Sequence, residues 1–377
     1  MSLKILHIIT LSKWGGAQRV CYDVVTNLNR DKFLVEVACK PAGILVEKLR
    51  EKGIKVYEIP SFRREICLIE DLKTLFSLYK LIKEKKYDIV HCHSTKAGFL
   101  GRVAAKLAGV KKNYFTVHGW GFYNKQEYGW ATKLLIFLEK VAARCSTKII
   151  CVSENDKNEG IKNKIAKENK FLLIRNGINW KVIIDIAKIR ECFKIEKDEI
   201  VFGMVGRLAY PKNPLMFLQA AKAVSQYHQK VKFILIGGGF LFEKCKNFIM
   251  ENKLENKILL LGERSPEKTR RILSGFNVFV LASKFEGSPI TIVEAMFAGL
   301  PIIASDVPSI KELVINGQTG FLVGQNSIKN LVEKMVYFIK NPKEIEKMGK
   351  EGQRIAKKKF TLETMIQNYG RLYDAEK

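Results

Sequence analysis

The sequence has no apolar run near the ~20 residues that a membrane-spanning helix requires, although 47% of its 377 residues are hydrophobic. Its first residues, MSLKILHIIT, also lack the small-residue cleavage site of a secretory signal peptide. We therefore expect a cytoplasmic protein without a transmembrane segment, which leaves peripheral contact with the inner face of the cell membrane open.

The cysteines include no CxxC pair, which argues against a zinc site. All of them lie within apolar segments, which predicts reduced, buried thiols that pack in the core rather than disulfides. The eight positions are Cys21, Cys39, Cys67, Cys92, Cys145, Cys151, Cys192 and Cys245.

Acidic residues are scarce, with 38 Asp and Glu against 65 Lys and Arg, and the formal net charge is +27. Such a surface attracts an anionic partner. The charge alone does not decide whether that partner is nucleic acid, anionic lipid or a phosphorylated substrate.

The length of the sequence exceeds what one hydrophobic core supports, so we expect two domains.

Short β-rich runs alternate with helical patterns along both halves of the chain. Apolar strands separated by helices indicate a parallel sheet covered on both faces, so each half is predicted to be a doubly wound α/β domain. The runs cover residues 4–10, 33–39, 54–60, 87–93, 112–119 and 147–153, then 200–206, 232–238, 257–262, 276–282 and 300–306.

The predicted boundary falls where the pattern pauses, before the charged segment 181–198. Asn176 and Gly177 tolerate left-handed backbone angles and suit a hinge. The predicted domains are residues 1–175 and 176–360, followed by a final helix over about 361–377.

In such folds the chemistry lies beyond the carboxyl ends of the strands. Gly15 and Gly16 follow the first strand and could bring backbone amides to phosphate oxygens, or form only a tight turn. His118 ends another strand and could donate a hydrogen bond to a substrate, or simply pack. His91 and His93 alternate at a strand end, but no acidic third ligand accompanies them, so packing is favoured and no metal site is predicted.

Two cations follow the strand that ends in Gly206. Arg207 and Lys212 lie on one loop, and Pro214 suits the first turn of the next helix. Guanidinium and ammonium groups on one loop would neutralise a diphosphate, although two solvated surface cations would look the same.

The stretch EGSPITIVEA places Glu286 and Glu294 on either side of a helix start. Glu294 falls about one turn into an apolar helix, where a carboxylate needs a hydrogen-bonding partner, and ribose hydroxyls would serve. The amides of residues 288–291 would bind phosphate at the helix N-terminus. A pair of glutamates used only for capping and a salt bridge is the alternative.

Four features together resemble glycosyltransferase family 4: the E(x7)E pattern from Glu286, the basic loop from Arg207, the glycine pair ending at Gly16, and His118 before a glycine. The resemblance extends over nearly the whole chain. It implies the GT-B fold, an α/β architecture of two facing Rossmann-like domains with a cleft between them.

The resemblance also implies an activity: retaining, metal-independent transfer of a sugar from a nucleotide-sugar donor, with UDP-sugars the commonest in the family, and no cofactor. Domain 1–175 would bind the acceptor, domain 176–360 the nucleotide-sugar, and helix 361–377 would cross back to the first domain. The implied acceptor is a glycan or a polyprenyl-linked saccharide of surface polysaccharide assembly.

The implied site residues divide into two sets, and no metal ligand is among them. The catalytic set is His118, Glu286, Arg207 and Lys212. The donor-binding set is Gly15, Gly16, Arg207, Lys212, Glu286, Gly287, Ser288, Pro289, Ile290 and Glu294. Two departures concern the hinge and the sugar preference: Asn179 stands where family members often have Asp, and FEGSPI replaces the more usual ExFG.

The segment Phe62–Asp88 has apolar residues at helical spacing and cations at both ends. It could lie on an anionic membrane, or it could be a core-packed helix with solvated lysines.

Three other functions are considered: a nucleotide-sugar epimerase of the same architecture, a basic nucleic-acid-binding protein, and a catalytically silent scaffold. No nucleic-acid-binding module is recognised, and cations and aromatics are not interleaved, so we expect no nucleic-acid partner.

Overall fold

The computed structural model describes residues 2–123, 129–181 and 185–375. The chain divides into two compact units, one formed by residues 1–177 with 361–377 and the other by residues 178–360. We call them the N-terminal unit and the C-terminal unit. The change from one to the other follows Gly177, where the sequence predicts a hinge.

The N-terminal unit is built on a seven-stranded parallel sheet in the order β3-β2-β1-β4-β5-β6-β7. Its central strands are buried on both faces, as expected of a sheet with helices on each side. The strands are β1 (Leu3–Ile9), β2 (Phe33–Cys39), β3 (Lys55–Glu58), β4 (Ile89–His93), β5 (Lys112–Val117), β6 (Lys148–Cys151) and β7 (Phe171–Leu173).

Helices connect these strands, and side-chain caps mark some of their starts. Ser153 Oγ accepts a hydrogen bond from the Asp156 amide at 3.1 Å and caps the last helix before β7. The helices are α1 (Gly16–Asn27), α2 (Ile44–Glu51), α3 (Leu68–Lys85), α4 (Thr95–Leu107), α5 (Thr132–Arg144) and α6 (Glu154–Lys162).

The C-terminal unit has a second parallel sheet, with six strands in the order β10-β9-β8-β11-β12-β13. The strands are β8 (Ile200–Val205), β9 (Val231–Ile236), β10 (Ile258–Gly262), β11 (Val278–Leu281), β12 (Ile302–Ser305) and β13 (Gly320–Val323). The helices are α7 (Ile186–Cys192), α8 (Pro214–Tyr227), α9 (Phe242–Glu251), α10 (Pro266–Leu273), α11 (Ile290–Phe297), α12 (Pro308–Lys311), α13 (Ile328–Lys340) and α14 (Pro342–Lys359).

The final helix, α15 (Leu362–Asp374), belongs to the N-terminal unit and packs near α1. Thr361 Oγ1 caps it by accepting a hydrogen bond from the Thr364 amide at 3.2 Å. Tyr369 and Tyr373 on its inner face are completely buried. This helix therefore places two phenol hydroxyls inside the N-terminal unit.

Three details differ from the sequence-based expectations. Strands β7 and β13 were not predicted, because FLL and GFLV are too short to stand out. Helix α7 lies inside the segment interpreted as a pause, and Asp185 caps it by accepting from the Lys188 amide at 3.0 Å; residues 182–184 of that segment lie outside the described ones. The cysteines are all free thiols, but Cys192 is exposed, since α7 is a short surface helix, and Cys67 and Cys145 are only partly buried.

Helix α3 has two different faces. Thr74, Leu78 and Ile82 are buried, so part of the helix packs in the core. Leu68 and Phe76 expose 78% and 67% of their surface. Neither a wholly core-packed helix nor a wholly exposed one describes this segment. Over the described residues, no helix combines the length and apolar character needed to cross a membrane.

The strand orders decide where a site can form in each unit. Successive strands are added on one side of β1 and then, from β4 onward, on its other side. The same change of side occurs between β8 and β11 in the C-terminal unit. Ligands of open α/β sheets bind beyond the carboxyl ends of the strands at such switch points. Gly15, Arg207 and Glu286 follow β1, β8 and β11, whereas His118 follows β5, the neighbour of β4.

Candidate active site

Glu286 lies on the loop after β11, and two side chains hold its carboxylate. Lys212 Nζ and Ser283 Oγ each donate to Glu286 Oε1 at 2.5 Å, and the side chain of Glu286 is only 10% exposed. Ser309 Oγ donates to the backbone carbonyl of Glu286 at 2.8 Å and fixes the loop. The structure thus brings together Glu286 and Lys212, which are distant in the sequence. Neither serine was identified from the sequence.

Glu294 on α11 has a partner within the protein. Arg270 Nε on α10 donates to Glu294 Oε1 at 2.9 Å, and the exposed fractions of the two side chains are 14% and 8%. The Arg270 guanidinium also donates to the Asn179 carbonyl at 3.3 Å and lies 5.9 Å from the centre of the Trp180 ring. Arg270 therefore neutralises the buried carboxylate and provides its hydrogen-bonding partner. The sequence-based argument, in which burial of Glu294 requires a ribose, does not hold, because the protein itself supplies this partner.

If Glu294 binds the ribose, as the resemblance to family 4 implies, Glu294→Gln should weaken nucleotide binding about tenfold or more, since the charge-assisted hydrogen bond from the ribose to the carboxylate is lost. It should also lower the free energy of unfolding by ~1–3 kcal/mol, because Arg270 loses its anionic partner. Titration calorimetry with UDP and urea unfolding measure the two effects. Arg270→Met is the matched control: it disturbs the ion pair but keeps the carboxylate. Equal nucleotide affinity for Glu294→Gln and the wild type would refute a ligand-binding role.

Arg207 and Lys212 differ in environment, although they share the loop after β8. Arg207 is exposed, whereas Lys212 is partly buried at the end of a short 3-10 turn, Tyr210–Lys212. Asn213 follows with a left-handed φ of 49° and Pro214 begins α8, as the position of Pro214 predicts. The tight turn is what directs Lys212 toward Glu286, while Arg207 stays at the surface.

A glycine run after β9 packs against the same loop, and the sequence analysis missed it. Gly237 and Gly239 have φ angles of 149° and 147°, which L side chains rarely adopt. A Cβ atom would lie 1.9 Å from the Gly206 carbonyl oxygen at Gly237 and 2.4 Å from the Leu208 carbonyl oxygen at Gly239. Only glycine fits this close approach. Three consecutive glycines at the end of the predicted strand 232–238 were the available signal.

The other proposed donor contacts lie at two helix starts. Gly287, Ser288 and Pro289 lead into α11, which begins at Ile290 and has no acidic residue in its first turn. Gly15 is the N-cap of α1 and Gly16 its first residue. The φ of Gly15, −168°, is extended backbone that any residue adopts. Its backbone conformation therefore does not demand glycine.

His118 lies in the N-terminal unit, directly after β5, and is partly exposed. Its Nε2 is 3.1 Å from His93 Nδ1, and the two rings stack with centres 5.4 Å apart. His7, His91 and His93 are completely buried beside it. The packing predicted for His91 and His93 agrees with this burial. His7 was not singled out, because a lone histidine within a strand gives no signal.

Burial determines the charge of these histidines. Desolvation lowers the pKa of His7 to about 3 and that of His118 to about 4. The pKa values of His91 and His93 fall well below the ordinary value, first through desolvation and then through the neighbouring histidines. All four imidazoles are therefore neutral near pH 7, and each offers one N–H donor and one acceptor nitrogen.

The two parallel α/β sheets, each with polar side chains at its switch point, define a GT-B fold, and known proteins agree. A computed family model for glycosyl transferases group 1 matches residues 185–355, and one for glycosyltransferase family 4 matches residues 14–181. The chain is 37% identical to UDP-Gal:alpha-D-GlcNAc-diphosphoundecaprenol alpha-1,3-galactosyltransferase of Escherichia coli, over 89% of this chain and 87% of that protein. It is 28% identical to the Staphylococcus aureus capsular polysaccharide biosynthesis glycosyltransferase CapM, over 98% and 97% of the two chains.

Solved structures show the same fold. HepE from Anabaena in complex with UDP and glucose superposes with a TM-score of 0.86 at 21% identity, covering 99% of this chain and 100% of that one. The chain belongs to glycosyltransferase family 4. It is a glycosyltransferase with the GT-B fold, as the sequence motifs predict.

Proposed function

We propose that this protein transfers a hexose or N-acetylhexosamine from a UDP-sugar to a polyprenyl-diphosphate-linked saccharide in the assembly of a surface polysaccharide. The support comes from the relatives: the name of the E. coli relative gives UDP-Gal as its donor and a diphosphoundecaprenol-linked GlcNAc as its acceptor. A Campylobacter jejuni relative, 28% identical over 89% of each chain, is named as an N-acetylgalactosaminyltransferase acting on a diphospho-undecaprenol-linked sugar.

The observation that carries the proposal is the group formed by Glu286, Lys212 and Ser283 at the carboxyl end of β11. Both hydrogen bonds to the Glu286 carboxylate go to Oε1, so Oε2 is the oxygen that a donor sugar hydroxyl would meet. Lys212, held beside it, supplies a positive charge for the diphosphate. Arg207 at the surface of the same loop adds a second cation.

In the proposed reaction, the bond between the anomeric carbon and the diphosphate oxygen breaks, and a bond to the acceptor oxygen forms on the same face. Because the acceptor attacks from the face that the diphosphate leaves, the configuration is retained, and the acceptor proton passes to the departing diphosphate. Negative charge grows on the leaving group, and the preorganised cations Arg207 and Lys212 with the amides at the start of α11 stabilise it. Glu294 would hold the ribose and His118 a hydroxyl of the donor sugar. No metal ion takes part.

The test is a transfer assay with a synthetic GlcNAc-diphospho-lipid and a panel of UDP-sugars, UDP-Gal first. We expect one added sugar by mass spectrometry, an α-linkage in the NMR coupling constant, and activity that survives EDTA. Loss of activity in EDTA, restored by a divalent cation, would refute metal independence. Conversion of the UDP-sugar into an isomer without any acceptor product would instead identify an epimerase.

We also propose that the exposed face of α3 contacts an anionic lipid surface, where such an acceptor would reside. Leu68, Leu72 and Phe76 recur every fourth residue, so they form one row on the helix, and Leu72 is 65% exposed. Lys83, Lys85 and Lys86 at the end of the helix are all exposed. An apolar row beside a basic cluster is typical of a helix that lies in a membrane interface.

We predict that the wild type sediments with phosphatidylglycerol vesicles and is released by salt. Replacing Lys83, Lys85 and Lys86 with Glu should weaken binding about a hundredfold, because each cation contributes ~1 kcal/mol near an anionic surface. The matched control reverses Lys357, Lys358 and Lys359, three exposed lysines at the end of α14. Vesicle binding that is unchanged by salt and by either triple substitution would contradict a membrane role for α3.

A further inference from the structure

A continuous chain of hydrogen bonds runs through the N-terminal unit from α15 to His118. Tyr369 OH is 3.2 Å from Thr116 Oγ1, which is 2.7 Å from His91 Nε2. His91 Nδ1 is 2.5 Å from Tyr373 OH, which is 3.5 Å from His7 Nε2. His7 Nδ1 is 3.0 Å from His93 Nε2, and His93 Nδ1 is 3.1 Å from His118 Nε2. His118 is the partly exposed end of this chain.

The donors and acceptors along this chain of hydrogen bonds must all point the same way, because every group in it is neutral. A neutral imidazole that donates from one nitrogen accepts at the other, so choosing one proton position determines all the others. In one direction the buried Tyr369 donates to Thr116, and each later group donates onward until His93 donates to His118. In the opposite direction the Tyr369 hydroxyl receives from Thr116 and needs another acceptor. The first direction uses every buried donor and leaves only the Nδ1–H of the partly exposed His118, so it is favoured.

The same buried histidines could be considered as metal ligands. One ring nitrogen from each of His7, His91 and His93 lies within 4.8 Å of the others. However, His91 already meets hydroxyls at both nitrogens, and His7 and His93 are hydrogen-bonded to each other. A metal ion would have to displace these bonds. The hydrogen-bonded arrangement therefore accounts for the cluster better than a metal site does.

We propose that His93, His7 and Tyr373 are positioning residues that hold His118 in the Nδ1–H tautomer. The chain delivers a hydrogen bond to His118 Nε2, so the proton must be on Nδ1, and His118 presents a donor in a defined ring orientation. This inference rests on the proposed function, in which His118 contacts the donor sugar. It also gives α15 a role: its Tyr373 joins the two halves of the chain.

Selective 15N-histidine labelling tests the proposal without any turnover, because the sequence has only five histidines and 15N shifts distinguish the tautomers. We expect the Nδ1–H form at His7, His91, His93 and His118. Tyr373→Phe removes the hydroxyl between His91 and His7, so a mixture of tautomers should appear at His118. Tyr114→Phe is the matched control: Tyr114 is completely buried, its ring centre is 5.9 Å from that of Tyr373, and none of the hydrogen bonds given above for the chain involves its hydroxyl.

Kinetics complete the test. Tyr373→Phe should lower kcat about tenfold while KM for the UDP-sugar stays nearly constant, because the orientation of a catalytic group changes and donor binding does not. Tyr369→Phe should shift the tautomers less, and it serves if Tyr373→Phe does not fold. Changed tautomers with unchanged kcat would overturn the positioning role and leave the proposed function intact.

Two further outcomes are decisive. An active wild type in which His118→Ala loses no activity would refute the catalytic role of His118 itself. An Nε2–H form of His118 in the wild type, or stoichiometric zinc in the purified protein, would overturn the hydrogen-bonded chain.

Discussion

Glu286→Gln should lower kcat about 10²–10³-fold, the loss expected when one preorganised electrostatic group is removed from an active site. The substitution keeps the size of the side chain and removes the charge that Lys212 now faces at 2.5 Å. Binding of free UDP should change little, since Lys212 becomes more available to the diphosphate when its carboxylate partner is gone. Steady-state kinetics and calorimetry with UDP separate the two effects.

Glu263→Gln is the control for this prediction. Glu263 is an exposed carboxylate on the loop after β10 of the same unit, so its neutralisation changes the net charge equally without affecting the group around Glu286. Glu286→Gln should also lower the free energy of unfolding by ~1–3 kcal/mol, because Lys212 loses its anionic partner, whereas Glu263→Gln should leave it unchanged. If Glu286→Gln kept wild-type turnover, or if UDP affinity fell as much as kcat, the assignment of Glu286 to the donor sugar would be wrong.

Acid should destabilise the N-terminal unit well before its carboxylates are protonated. Burial lowers the pKa of His7 from 6.5 to about 3 and that of His118 from 6.5 to about 4. Below pH 6.5 these histidines therefore bind protons in the unfolded chain but not in the folded one. The free energy of unfolding is highest above pH 6.5 and decreases as the pH falls toward 4. At pH 5 each of these two groups costs ~2 kcal/mol. His91 and His93 act in the same direction.

Urea unfolding followed by tryptophan fluorescence measures this loss, since Trp14, Trp120 and Trp130 belong to the N-terminal unit and only Trp180 to the other. The unfolding midpoint should fall steeply between pH 7 and pH 5. His7→Asn should reduce proton uptake on unfolding at pH 5 by about one. A midpoint that does not move over this range would show that the four histidines are already accessible to protons in the folded state.

The alternation of apolar strands and helices was enough to predict two parallel sheets and the loops at their carboxyl ends. It placed Arg207, Lys212, Glu286 and His118 directly after strands, where the structure has them. These features are local, because a run of buried residues and a glycine or proline at its end depend only on neighbours in the chain.

The partners of those residues could not be predicted in the same way. Arg270 is one of two adjacent arginines on α10, and nothing in KTRRIL distinguishes the one that meets Glu294. Tyr373 is 282 residues from His91 in the sequence. The two side chains are in contact because α15 packs in the N-terminal unit. Such pairings depend on strand order and helix packing, which no short stretch encodes.

Amino-acid order alone determined the fold class, the family and the loops that carry the proposed chemistry, because hydrophobic period and turn residues act over a few neighbouring positions. Tertiary structure decided which charges are paired, which histidines are neutral and how their protons are ordered. Those properties follow from burial and from contacts between groups far apart in the chain, and both arise only when the sheets and helices pack together.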